Sequence, residues 1–284
     1  MESRTRRRLS LLAAGTLLAF CCAGVRASVG PAEQRGVFAL LDGSPKIVST
    51  FWAEHGSRLS ATLKIRQYRL GGTTPILNYD VEMERLMHMV IVRDDFATFA
   101  HLHPPFDATT GTFSQPFTKA PNHRYYVYAD TTPRGIGQQV FRFTIESDGP
   151  VATAPAAPPI SSGARSAGPY TVRLDPATLG ANSPQLVKVT VLEAGRPAGN
   201  LKTYLGAAAH AVFINTSTLA YVHVHPHVLG EHGSMPGMVM EMGEAGPRME
   251  MQLPALPAGT YRLWLQFRGA KDRVYTAPFT MLAR

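Results

Sequence analysis

Residues 210–226 read HAVFINTSTLAYVHVHP, and residues 88–104 read HMVIVRDDFATFAHLHP. Each stretch puts a His thirteen residues ahead of a His-x-His-Pro, and the two copies are offset by 122 residues at all three His. A three-His pattern matching at every spacing points to a duplicated module. Each copy also reads as a β-hairpin. MVIV and AVFI lead in, FATFAHLH and LAYVHVH lead out, and Asp, Asn and Ser sit at the tips, which is hairpin chemistry. With two-residue loops, Asp94-Asp95 and Thr216-Ser217, His88 falls opposite His101 and His210 opposite His223. His103 and His225 then share those faces, since side chains alternate along a strand. Opposed Cβ atoms lie roughly 5 Å apart and i, i+2 neighbours roughly 7 Å, so three imidazoles of one module can converge on a small cation. A one-residue change in the loop would split them between faces.

Outward from the hairpins, the texture is β throughout. Ile47–Phe51, Ala61–Tyr68, Asp80–Met87, Gly111–Phe117, Arg124–Tyr128 and Gln138–Ile145 carry the first module. Tyr170–Leu174, Gln185–Leu192, Arg248–Leu253, Thr260–Arg268 and Val274–Leu282 carry the second, and Pro197 again lies 122 residues after Pro75. No stretch has a helical period of useful length. About seven strands per module, with turns every ten or so residues, predict an all-β chain of two tandem immunoglobulin-like β-sandwich domains. The expected boundaries are 46–147 and 169–284, with a Pro/Ala/Ser-rich linker over 148–168 that should be extended and mobile. Residues 28–45 are either a loose lead-in or a first strand. Trp52 and Trp264 are candidate core anchors.

Residues 1–27 have the build of an export signal: Arg4, Arg6, Arg7 and Arg8, then an apolar run over 11–25, then Val25-Arg26-Ala27 as a cleavage site. The run is short for a bilayer span, which leaves an uncleaved anchor as the alternative. A periplasmic or secreted protein is the expectation, with no transmembrane span in the mature chain. Both cysteines, Cys21 and Cys22, lie in this leader, so the mature chain has no disulfide and no thiolate. Without the leader's five Arg and one Glu, the formal charge falls from +8 to +4, which gives nucleic-acid binding no support.

The chemistry rests on imidazole. Neutral His offers one lone pair while its other nitrogen is held by an acceptor. Candidate metal ligands are His210, His223 and His225, with His227 and Met235, in the second module, and His88, His101 and His103 in the first. Each His could instead cap the open end of a sandwich. Met235, Met238, Met240, Met242, Met249 and Met251 add soft thioethers that favour Cu(I), although all but Met235 also fit a half-buried strand pattern. Met87 and Met89 should point away from His88, and His55 and His123 are structural or surface residues. Signatures of catalysis (GxSxG, P-loop, GxGxxG, HExxH) are missing, and Asn215-Thr216-Ser217 fits a glycosylation acceptor, which matters only in a eukaryotic secretory context.

The HxHP hairpins, with Tyr204-Leu205-Gly206-Ala207 ahead of His210, resemble a family of bacterial secreted or membrane-associated proteins with paired HxHP modules. That resemblance implies export and a β-sandwich. More loosely, ligand type and compartment are similar to periplasmic His/Met copper carriers, without a cupredoxin Cys. Extracytoplasmic copper binding, delivery or resistance, with Cu(I) or Cu(II), is the leading expectation. A metal ion is the expected partner, with another metal-handling envelope protein as a further candidate. Affinity should fall below about pH 6 as His protonates. A structural or adhesive surface protein is the alternative. A zinc hydrolase with Glu231, Glu241 or Glu244 as base is a third.

Overall fold

The computed structural model describes residues 32–57, 59–146, 158–161, 163–229 and 245–284. The expected leader, and Met235, Met238, Met240 and Met242 with Glu231, Glu241 and Glu244, lie outside the described residues.

The first module comprises β1 (Gln34–Arg35), β2 (Val37–Phe38), β3 (Ile47–His55), β4 (Ser60–Arg69), β5 (Tyr79–Asp80), β6 (Met87–Arg93), β7 (Phe99–Leu102), β8 (Phe106–Asp107), β9 (Thr112–Thr118), β10 (Arg124–Pro133) and β11 (Gln139–Glu146). One sheet has the order β1-β3-β4-β9-β8, and the other β2-β11-β10-β6-β7, with β5 attached to β10. The second module comprises β12 (Ala164–Ala167), β13 (Tyr170–Asp175), β14 (Gln185–Glu193), β15 (Arg196–Pro197), β16 (His210–Asn215), β17 (Tyr221–Val224), β18 (His227–Val228), β19 (Arg248–Leu253), β20 (Gly259–Arg268) and β21 (Val274–Ala283). Its sheets run β12-β13-β14-β19-β18, with β15 on β14, and β17-β16-β20-β21. The two orders match except that β2 has no counterpart in the second module and that β5 and β15 join different sheets. The chain is thus all-β, two tandem immunoglobulin-like sandwiches. A 3-10 turn at Ala270–Asp272 is the one helical element among the described residues, and no helix there is long and apolar enough to cross a membrane.

Alternation explains the two cores. In β4, Ala61, Leu63 and Ile65 point inward between Thr62, Lys64 and Arg66. In β14, Val187, Val189 and Val191 do the same. Strands β6 and β16 are different: all but the last residue of β6 and all of β16 are buried. One face of β6 (Met87, Met89, Ile91) enters its own sandwich, as expected for Met87 and Met89. The other face (Val90, Val92) packs with Val212 and Ile214 of β16 in a third core between the modules. Burial on both faces is why these segments read as continuous apolar runs.

Aromatic stacks flank this third core. Phe99 lies on Trp264 at 4.8 Å between ring centroids, and Tyr221 on Tyr128 at 5.0 Å. Phe99 and Tyr221 are counterparts, each facing the same position of its hairpin partner (Val92↔Phe99, Ile214↔Tyr221). Tyr128 and Trp264 are counterparts too, facing Val90 and Val212. One contact is therefore made twice across a pseudo-two-fold axis.

Several expectations need correction. Trp264 is buried but anchors the module interface rather than a sandwich, and Trp52 is half-exposed beneath the Arg66 guanidinium. The expected linker ends early, because Ala164–Ala167 pairs with β13 through a turn at Gly168, whose φ is +60°. Residues 28–45 contribute β1 and β2, one to each sheet, and Tyr221 donates its amide to the Ala39 carbonyl of the same segment. Between them lies Gly36, where a Cβ would sit 2.8 Å from Phe141 Cβ and the Phe143 ring.

The hairpin register also differs. His101 pairs with Val90 and His223 with Val212, two residues from the pairing that two-residue loops would give. The loops hold four residues. The Asn215 side chain accepts from the Ser217 and Thr218 amides, and its amide reaches the Ala220 carbonyl. In the first copy Asp95 accepts from the Ala97 amide, and Asp94 is tied to His123 and the Arg124 amide. A two-residue shift preserves the face of every side chain, so the His set stays together.

Candidate metal centre at the module interface

The two triads do not form separate sites. His88, His101 and His103 from the first module meet His210, His223 and His225 from the second at the module boundary. Ring centroids lie 4.8–5.1 Å apart within the first set and 4.6–5.4 Å within the second. Across the boundary, His88 and His101 lie 5.2 and 5.3 Å from His223, and 5.9 and 5.5 Å from His210. Nitrogens of His210, His223 and His225 come within 4.8 Å of one another, and so do those of His88, His101 and His210, whereas His88, His101 and His103 do not converge that closely, so the expected first-module triad is met only in part.

The hydrogen bonds repeat under the same symmetry. His88 Nε2 lies 2.9 Å from the Glu82 carbonyl, and His210 Nε2 lies 2.9 Å from the Tyr204 carbonyl. A carbonyl only accepts, so each Nε2 carries the proton and each Nδ1 a lone pair. His223 Nδ1 lies 3.4 Å from Asp130 Oδ2 of the first module, and His101 Nδ1 lies 2.9 Å from Gln266 Oε1 of the second. With those nitrogens donating, His223 Nε2 and His101 Nε2 also present lone pairs. They face the Nδ1 lone pairs of His210 and His88 at 3.2 and 2.9 Å. Two facing lone pairs repel unless a cation lies between them. Two ligands of a tetrahedral ion with metal–nitrogen bonds of about 2.0–2.1 Å lie about 3.3 Å apart, close to this spacing.

Two nitrogens have no partner at all. His103 Nε2 and His225 Nε2 are buried and unsatisfied. Such groups are rare, because each costs about 1–3 kcal/mol in lost solvation. Burial and neighbouring imidazoles push His103 and His225 down to about 3. Burial first, then the proximity of His223, also lowers His88, His101 and His210. These five rings are thus held neutral, the form that binds metal. Burial pushes the Asp130 carboxyl up, but its hydrogen bonds and the attraction of His223 outweigh this and hold it below the usual carboxylate range. Gln138 Nε2 and Tyr221 Oη also donate to it, at 2.9 and 3.3 Å. A cavity of about 370 Å³, lined in part by His88, Asp130, His223, His225 and Glu82, opens beside these rings.

The other candidates sit elsewhere. His227 Nε2 bonds Glu250 Oε1 at 3.0 Å on the β18–β19 pair. Met249 and Met251 are fully buried in the second core, and Met235 lies outside the described residues. His123 is bound to Asp94. Sequence reasoning missed Asp130 and Gln266. The available signal was a polar residue set among apolar ones on a long strand, in YVYADTT and LWLQF. The roles of the Glu82 and Tyr204 carbonyls leave no trace in side-chain pattern.

A family model described as a domain of unknown function (DUF8832) matches residues 164–284, which contain the second sandwich. No curated protein matches the chain. Among solved structures, a two-domain fibronectin type-III segment from chicken tenascin is 7% identical, with 82% of this chain and 97% of that one covered and a TM-score of 0.22. Salmonella alpha-2-macroglobulin reacted with methylamine is 12% identical, with 84% of this chain covered and a TM-score of 0.25. The chain spans 17% of that protein's length. Neither superposition is close enough to bear on function.

Proposed function

We propose that this chain is an exported metal-binding protein whose cargo is copper, held by imidazoles between its two sandwiches. The observation that carries the reading is the facing pair His210 Nδ1 and His223 Nε2, 3.2 Å apart, beside the unpartnered Nε2 of His225. Each ring of the facing pair is held from behind by an acceptor, the arrangement that orients imidazole toward an ion. An all-nitrogen donor set suits copper, zinc or nickel, and copper(II) binds such sites most strongly of the divalent first-row ions. The leader-like residues 1–27 support export, and confining both cysteines to that leader suits an oxidising compartment.

A purely structural or adhesive role accounts less well for the site. It requires each imidazole to be satisfied by protein, and two buried nitrogens are not. The test is titration of the protein with Cu(I), Cu(II) and Zn²⁺ beside a His223→Ala/His225→Ala double variant. Copper should bind the parent at least tenfold more tightly than the variant. Equal uptake by both would discard the reading. Tighter zinc binding, with turnover of an ester, would favour a hydrolase instead.

A further inference from the structure

We infer that the module boundary holds a two-metal centre, one ion on His88, His101 and His103 and a second on His210, His223 and His225. This rests on the metal-binding reading and specifies how many ions the site takes and how they are arranged.

The argument is one of satisfaction. Six nitrogens need a cation: the facing pair His88 Nδ1 and His101 Nε2, the facing pair His210 Nδ1 and His223 Nε2, and the orphaned Nε2 of His103 and of His225. A single ion shared across the boundary by His88, His101 and His210 is geometrically accessible. It would leave His103, His223 and His225 without a partner. His210 also has one nitrogen to give, since its Nε2 is committed to the Tyr204 carbonyl. It therefore cannot bridge two ions, and the two overlapping His groups exclude each other. One ion per symmetry-related triad satisfies all six nitrogens, with each His used once; the second-module triad already converges within 4.8 Å, and in the first the orphaned His103 Nε2 turns in to join the 2.9 Å pair of His88 and His101. The ring separations of 5.2–5.9 Å across the boundary keep the two triads adjacent.

Charge decides the class of ion. Among the described residues, the carboxylate hydrogen-bonded to this cluster is Asp130, through His223, whereas its counterpart Gln266 is neutral. Two divalent ions would place four positive charges against one negative in a buried site. Two Cu(I) ions place two, and three-coordinate imidazole suits Cu(I). A divalent pair fits with an added bridging anion such as hydroxide.

The test counts ions. The full chain, loaded anaerobically with Cu(I) and freed of excess by gel filtration, should carry two copper ions per chain. His103→Ala and His225→Ala should each carry one, with unchanged circular dichroism. Loading with Cu(II) should give magnetic coupling between the two ions in the parent and an uncoupled mononuclear signal in each single variant. One ion in the parent would overturn the two-metal centre and leave the metal-binding reading standing. Two ions retained in both variants would overturn it as well, because the copper would then lie elsewhere. No copper in the parent would remove both.

Discussion

His223 Nδ1 lies 3.4 Å from Asp130 Oδ2 across the module boundary, while its counterpart His101 faces the neutral Gln266 amide. This is the main chemical asymmetry in an otherwise two-fold arrangement. A carboxylate behind an imidazole raises its basicity as a ligand and offsets the charge of the ion. The triad of the second module should therefore bind more tightly. Asp130→Asn should weaken that site by about 10–100-fold and leave the His88 triad's affinity nearly unchanged. Competition against a chromophoric chelator measures both steps, and a uniform loss at both sites would contradict this ranking.

The interface that carries the centre also carries stability. Trp264 is 2% exposed and stacks on Phe99. Trp264→Ala should cost about 3–5 kcal/mol, the range for truncating a buried aromatic. The loss falls on the contact between modules, because the sandwich cores are built from other residues. Denaturant unfolding followed by fluorescence and by far-UV circular dichroism should change from one transition to two. Metal affinity should drop with it, since His223 would lose its hold on Asp130.

Acid should destabilise the metal-free protein before any carboxylate titrates. His103 and His225 sit at about 3 in the fold, and His88, His101 and His210 are lowered as well, against about 6.5 in the unfolded chain. Between those values the unfolded chain binds protons that the folded one does not. Stability is thus full above about pH 6.5 and falls as pH drops toward about 3, by up to about 1.4 kcal/mol per pH unit for each such His. Melting temperatures of chelator-treated protein should be level from pH 7.5 to about 6.5 and then fall steadily to pH 4.5. A flat profile down to pH 5 would mean that the rings protonate freely. For the loaded protein, proton competition at His103 and His225 should set in well below the pH 6 expected of ordinary imidazole.

Much of this was legible in the sequence because it depends on spacing. The 122-residue offset between the hairpins reports a duplication, and a duplication of alternating strands folds as two like sandwiches. Parity kept His88, His101 and His103 on one face even though the loops have four residues rather than two. What the spacing did not show was the partner of that face. Val90 and Val212 read as ordinary sandwich residues, and only three-dimensional packing reveals that they meet. The join of two three-His sites into one six-His cluster follows from that contact. So does the role of Asp130, which is separated by 93 residues from the His it holds.

Because each triad ties the two strands of its module's hairpin and the segment after it to one ion, metal should stabilise the native state of each module. An ion that binds the native state alone stabilises it by about 2.7 kcal/mol at a free concentration a hundredfold above Kd. For a chain of this size that corresponds to a rise in Tm of about 5–10 °C. Copper should raise the melting temperature by this order, and a strong chelator should reverse the rise. In the His223→Ala/His225→Ala variant the first-module triad remains, so the rise should be roughly halved rather than abolished. Trp264→Ala offers the sharper control. With the modules uncoupled, copper should raise each sandwich's transition separately, since each triad lies within one module. A parent whose melting temperature ignores copper, chelator and variant alike would show that the rings between the modules bind no ion.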